Sequence, residues 1–385
     1  MPYLLRLSNE RRARFTVVSF EKDPLPDEKL RARIAAVGIR WIALPYHRGA
    51  PAKLWDLPLG FAVALISVLR DRPDVVHARS HMPGSIALAL LGTARLPFIF
   101  DILGLLADEY ADSGHWRRES FLYRSTKWLE RVLLRRAAAV ITLTDANARS
   151  LRQSGLMPAH APLLILPCAV DLERFICGGS DAFPRGGRPV LVYSGGIGPW
   201  YRPEAMAAFA AAARRITPDL KFLVLTRDDT RVLEEAAREH GIPADAIEIR
   251  SAHPDEVASL LCTADVGLSF RTYGPSTEGV SPNKFGEYLA CGLPVVSSRG
   301  IGDVDEITIR ERVGAIAERE ETSAYERAWR EVLAGLEDDA TGLRERCRRV
   351  ARQELSPERV TDGYADLYRE IGNGRVHASS AHDAR

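Results

Sequence analysis

Short apolar runs bounded by turn residues alternate along this chain with longer stretches whose apolar positions recur three and four apart. The first kind reads as buried strand and the second as amphipathic helix. In the first half the strand-like runs are 15–20 (FTVVSF), 39–44, 74–77, 98–101, 140–143 and 163–166. Helical stretches at 2–10, 29–37, 57–69, from Gly84 onward and 120–136 lie between or beside them. A second series begins after the polar, Gly- and Pro-bearing segment SDAFPRGGR at 180–188. Its strands are expected at 189–194, 221–226, 247–250, 265–270, 295–296 and 313–316, its first three helices at 204–215, 231–241 and 254–263. Two helices at 323–337 and 342–355 follow, then one that Ser356 caps and that runs to 371. Strands separated by helices predict parallel, doubly wound α/β sheets. Two domains are expected, 1–180 and 189–355, with helix 356–371 returning to the first and 372–385 a disordered tail.

The chain opens inside what reads as the first helix of its first domain. The expectation is that Met1 is internal to a longer protein, and that a strand and glycine-bearing loop precede it. Loss of such a strand would leave a sheet edge exposed.

Charge changes the picture only in its distribution. The whole carries +1, but residues 1–187 hold 26 basic against 18 acidic side chains and the remainder 26 against 33. A basic first half suits an anionic surface or acceptor. The stretch 116–136 adds to this, interleaving Arg117, Arg118, Arg124, Lys127, Arg131, Arg135 and Arg136 with Trp116, Phe121, Tyr123 and Trp128. It suits peripheral contact with anionic lipid, or simply a solvated helix face. Nothing points to nucleic acid. The five cysteines (168, 177, 262, 291 and 347) are odd in number and lack metal-type spacing, which fits a reduced, cytoplasmic compartment. The most apolar run, 57–69, is too short to span a bilayer.

The chemistry concentrates in 281–298, SPNKFGEYLACGLPVVSS. Ser281 is a favourable N-cap and Pro282 suits the first helical position, so a helix of about three turns should begin here and stop at Gly292. Its free N–H groups and the Lys284 ammonium suit a phosphate, and the Glu287 carboxylate can accept from two ribose hydroxyls. A solvated lysine on an ordinary capped helix is the alternative. The run P-N-K-F-G-E-Y-L-A-C-G-L-P-V-V is similar to the donor-binding segment of family 4 glycosyltransferases, which have the GT-B fold of two Rossmann-like domains facing a cleft. The resemblance implies that Glu287 holds a nucleotide ribose while Ser281, Pro282, Asn283 and Lys284 face a diphosphate. Many members carry a second acidic residue for the donor sugar where Gly279 stands, with Glu278 one place early.

Other positions follow from placement or from the same resemblance. Gly195, Gly196 and Gly198 lie between a strand and a helix, where backbone approaches a phosphate closely. They continue into Trp200, Tyr201 and Arg202, near where family members often carry an arginine and a lysine for the diphosphate. Arg227 ends a strand at the same edge. The run D-I-L-G-L-L-A-D-E-Y resembles an acidic family variant in which Asp101 would take the place of a histidine that meets the donor sugar, the alternative being a structural cap for the next segment. Glu109 nearby, and Arg79 and His81 after the strand VVHA, are placed on the acceptor side. The implied function is transfer of a sugar from a UDP- or GDP-linked donor to a glycan or lipid-linked acceptor, with retained anomeric configuration. No cofactor is implied, and no metal if Lys284 and the helix start neutralise the diphosphate. A sugar-nucleotide 2-epimerase and a non-catalytic binding partner of the same fold are the alternatives.

Overall fold

A computed structural model describes residues 2–10, 12–22, 28–47, 50–158, 161–179 and 181–372. The tail at 373–385 and Met1 lie outside the described residues. The strands of the first half are β1 (Thr16–Glu21), β2 (Arg40–Pro45), β3 (Val76–Arg79), β4 (Phe98–Asp101), β5 (Ala139–Thr142) and β6 (Leu163–Ile165). They are parallel throughout but form two sheets, a four-stranded β3-β4-β5-β6 and a separate β1-β2 pair, rather than the single sheet expected. The second half contributes β7 (Val190–Ser194), β8 (Lys221–Leu225), β9 (Ile247–Arg250), β10 (Val266–Ser269), β11 (Val295–Ser298) and β12 (Gly314–Ala317). These make one parallel sheet in the order β12-β11-β10-β7-β8-β9.

The second sheet is buried on both faces, as its unbroken apolar strands require. Leu191, Val192, Tyr193, Phe222, Val224, Val266, Leu268, Val295 and Val296 all have no exposed surface. The strand order reverses between β10 and β7, which opens a crevice beyond their C-terminal ends. Gly267 in β10 has no side chain because the Tyr288 ring lies 2.4 Å from where its Cβ would be. That close packing lets the Tyr288 hydroxyl accept the Ser194 N–H at 2.7 Å, which fixes the end of β7 to the helix beneath it.

Three helices escaped the sequence reading: Leu106–Asp112, Asp145–Gln153 and Val304–Glu311. The 57–69 run is the later part of a longer helix, Ala50–Asp71, with Pro58 inside it. The two helices expected at 323–337 and 342–355 are present within Thr322–Glu354, meeting at a kink where Asp339 leaves helical geometry at φ −150° and ψ 76°. In the second limb the fully buried Arg344 pairs with Asp265 at 2.8 Å and donates to the Asp181 carbonyl at 3.1 Å. Such a buried charge is tolerated because its donors are met. Asp265 also accepts the Val190 N–H at 3.0 Å and so holds the start of β7.

The last helix, Pro357–Gly372, does return to the first half. Val360, Leu367 and Ile371 complete a core with Leu7, Ile99, Ile141 and Leu166. The cysteines correct an expectation: Cys177 and Cys262 form a disulfide across 85 residues, and Cys168, Cys291 and Cys347 are free. Among the described residues no helix is long and apolar enough to cross a membrane.

Candidate functional site

The crevice beyond β7 and β10 holds a cavity of about 580 Å³. Its walls come chiefly from four loops and one helix start, with Arg174 and Phe175 from the segment before β7 and Ile301 after β11 completing them. After β7 come Gly195, Gly196 and Tyr201; after β8, Thr226, Arg227 and Asp228; after β9, Ala252 and Pro254; after β10, Arg271. Ser281, Pro282, Asn283, Lys284 and Glu287 close it from the side. The structure thus brings together every donor-side residue read from the sequence except Gly198, which does not line the cavity.

The helix beside it spans Asn283–Ala290, little more than two turns. Ser281 does not cap it. Pro282 holds the cap position and makes no side-chain cap bond, while the Ser281 hydroxyl accepts the Cys168 N–H at 3.1 Å across the two halves. This corrects the N-cap assignment while leaving Ser281 on the cavity wall.

Lys284 is buried, and its Nζ has no hydrogen-bond partner among the described residues. The ammonium lies 3.9 Å from the ring centre of Tyr193 and 4.4 Å from that of Tyr201. Gly195, at φ +133°, carries its backbone beside it: a Cβ there would come within 3.1 Å of Nζ. Burial draws the lysine down to about 7, against the opposing pull of Glu287 and with help from Arg271. Burial likewise raises the Glu287 carboxyl, with Lys284 and Arg174 acting against the rise. An enclosed ammonium with no hydrogen-bond partner, beside a glycine turn and a helix start, is chemically suited to a polyanion.

Gly279 is packed against the other half. A Cβ on it would lie 3.4 Å from the Gly104 Cα and 3.7 Å from the Leu105 nitrogen, ordinary contact distances, but the position is buried, so a carboxylate placed there would be drawn out of water. Glu278 is exposed, and its carbonyl accepts from the Thr144 hydroxyl.

The first-half candidates are placed differently. Asp101 is buried and does not line the cavity; its carboxylate takes the Tyr364 hydroxyl at 3.3 Å and faces His77 at 3.3 Å. Arg79 bonds the Tyr3 hydroxyl and lies 3.8 Å from Asp101. Both therefore hold the returning C-terminal helix and the first helix together. His81 is buried against Glu130 at 3.4 Å and packs edge-on to Phe100. Glu109 is nearer the crevice: burial raises its carboxyl, Arg271 is its principal opposing charge, and the Trp200 indole donates to its carbonyl at 3.2 Å. Trp200 thus leaves the cavity for a cluster with Tyr110 and His115.

Several cavity residues had no separate signal in the sequence. Arg174, Asp228 and Arg271 carry no motif, and Tyr193, which lies behind the wall against Lys284, reads only as strand. The one cue for Arg271 was its place just past a strand's C-terminal end.

Comparison with known proteins adds the following. Residues 2–169 match the family model described as glycosyl transferase 4-like domain, and residues 188–335 match that of glycosyl transferases group 1. A D-inositol 3-phosphate glycosyltransferase of Corynebacterium urealyticum is 22% identical over 381 residues, covering 90% of this chain and 84% of that protein. Among solved structures, Anabaena HepE in complex with UDP superposes with a TM-score of 0.71 at 15% identity, covering 96% of this chain and 95% of its own. Sucrose-phosphate synthase from Thermosynechococcus elongatus gives 0.66 at 15% identity, over 94% and 99%.

Proposed function

The chain belongs to the group 1 glycosyltransferases of the GT-B fold and uses a nucleotide sugar, and from that premise we propose that it transfers the sugar of a UDP- or GDP-linked donor with retention, without a metal ion. The observation that carries the reading is the enclosed, unpaired Lys284 ammonium beside Gly195 at the cavity wall. In the proposed reaction the bond from the anomeric carbon to the diphosphate breaks, the electron pair leaves on the diphosphate, and the oxygen of the acceptor hydroxyl forms the new bond on the same face while its proton passes to the departing diphosphate. Lys284, the first turn of the Asn283–Ala290 helix and the Gly195–Gly196 backbone stabilise the departing charge, an arrangement preorganised before the donor arrives. Glu287, one turn along the same helix, holds the ribose.

The acceptor is proposed to be a glycan or a lipid-linked saccharide, presented at the cytoplasmic face of a membrane. Support comes from exposed apolar side chains on the first half. Trp55, Ile66 and Leu69 on Ala50–Asp71 are 75%, 61% and 68% exposed, and Phe121 and Trp128 on Phe121–Arg136 are 83% and 64%. Arg124, Arg131, Arg135 and Arg136 are exposed on the latter helix. Arg118 is exposed too but paired with Asp112, and Lys127 is held by Asp108 and Glu130, so neither offers a free charge.

The test is a thermal-shift series with UDP, GDP and other nucleoside diphosphates, followed by turnover of the matching sugar nucleotide with and without chelator. One nucleotide at about 100 times its dissociation constant should add roughly 2.7 kcal/mol. Turnover should survive chelation; turnover lost to chelator would sink the metal-free mechanism.

A further inference from the structure

We infer that Tyr201 is a positioning residue that holds two cations, Lys284 and Arg271, side by side for the donor's diphosphate. The inference rests on the donor-site reading above and concerns how that site is charged.

The glycine turn 195–201 carries no basic side chain of its own. The positive charge at this end of the cavity comes from elsewhere. The Tyr201 ring centre lies 4.4 Å from the Lys284 Nζ and 5.8 Å from the Arg271 guanidinium carbon. Two backbone bonds fix that ring: the Tyr201 N–H donates to the Gly198 carbonyl at 2.9 Å, and the Thr272 N–H donates to the Trp200 carbonyl at 2.9 Å. The second staples the loop after β7 to the loop after β10, which sets Arg271 beside Tyr201. Tyr193 supports the lysine from below, its hydroxyl bonded to the Gly196 carbonyl.

Neither cation forms an ion pair with a described carboxylate, and their mutual repulsion works against keeping both. An aromatic face resolves this in a way a carboxylate cannot. It attracts a cation through the ring quadrupole without cancelling its charge, so the cation stays available to an anion. An acidic residue in place of Tyr201 would compete with the diphosphate for both.

The experiment is calorimetric titration of wild type, Tyr201→Phe, Tyr201→Leu and Arg271→Gln with UDP and UMP, or GDP and GMP if guanine is preferred. The readout is the ratio of diphosphate to monophosphate affinity, which isolates the outer phosphate and which general damage to the pocket would not move. Tyr201→Leu should lower that ratio by about tenfold or more, the scale of one or two lost ring–cation contacts. Tyr201→Phe should stay within about threefold of wild type, because the ring and not the hydroxyl carries the effect. Arg271→Gln should also lower the ratio. An unchanged ratio in Tyr201→Leu, an equal loss for both nucleotides, or a fall in Tyr201→Phe matching that in Tyr201→Leu would overturn the inference. If Tyr201→Leu fails to fold, Arg271→Gln decides alone, an unchanged ratio refuting it. Wild type that binds none of these nucleotides would instead refute the donor-site reading itself.

Discussion

Replacing Lys284 by methionine should make the empty protein more stable while disabling it. The ammonium is buried with no hydrogen bond, and burial brings it down to about 7. Against an ordinary lysine near 10.5, at about 1.4 kcal/mol per tenfold, folding pays a ceiling of about 5 kcal/mol at neutral pH. The rings of Tyr193 and Tyr201, each worth about 0.5–2 kcal/mol, act in the opposite sense, and methionine of similar length keeps most of the packing. A net gain of about 1–4 kcal/mol is expected for Lys284→Met below pH 7. The sign with pH follows from the depressed lysine. Between about 7 and 10.5 the unfolded chain holds the proton and the folded one does not, so wild-type stability rises with pH across that window. The variant lacks that contribution, and the gap between the two should close toward pH 10.5. Arg271 is present in both proteins and largely cancels in the difference, whereas Glu287 loses Lys284 as its opposing charge in the variant, which trims the gain. Urea unfolding followed by tryptophan fluorescence at pH 6.5, 8 and 9.5 reads it directly. Parallel pH profiles, or a variant less stable than wild type at pH 6.5, would refute the reasoning.

Other expectations concern separate parts of the molecule. Glu287→Ala should weaken nucleoside diphosphate binding by about 1.5–3 kcal/mol, the scale of hydrogen bonds to a charged group, with unfolding midpoint little changed; unchanged affinity by calorimetry removes it from the ribose. Asp101→Ala strands the Tyr364 hydroxyl and His77, and should cost about 3 kcal/mol in unfolding free energy; a variant as stable as wild type but without turnover would return Asp101 to the chemistry. Anionic liposomes should float the protein at low salt and release it as salt rises, and Phe121→Ser with Trp128→Ser should abolish flotation; equal recovery with neutral vesicles speaks for a soluble acceptor. Gly279→Glu should lower the melting temperature without improving turnover, because position 279 is buried and a carboxylate there loses its water; a gain in activity would show that the two halves open further than they do here.

Much of this was legible because it is local. The strand runs, the glycine turn and the 281–298 segment are set by neighbouring residues, and their elements fall within a few positions of expectation. What was hidden depends on partners distant in sequence. Ser281 satisfies the local rule for an N-cap, yet its hydroxyl is taken by Cys168, 113 residues away. Asp101 carries the signal of a strand-end functional acid, but its partner Tyr364 lies 263 positions later. The Cys177–Cys262 pairing is likewise invisible to spacing. Arg271 reaches the cleft because β10 lies beside β7, and strand order is not written in the strands themselves.

The return of the Pro357–Gly372 helix bears on how the polypeptide is made. Leu7, Ile99 and Ile141 emerge early from a ribosome, but their packing partners Val360, Leu367 and Ile371 are translated near the end. At about 5–20 residues per second, the apolar face they share stays uncovered for some tens of seconds after Ile141 appears. The second half, whose sheet and kinked helix lie within one continuous segment, has no such wait. The half synthesised first is therefore the half finished last, and in a growing cell it is the surface on which a chaperone would be found.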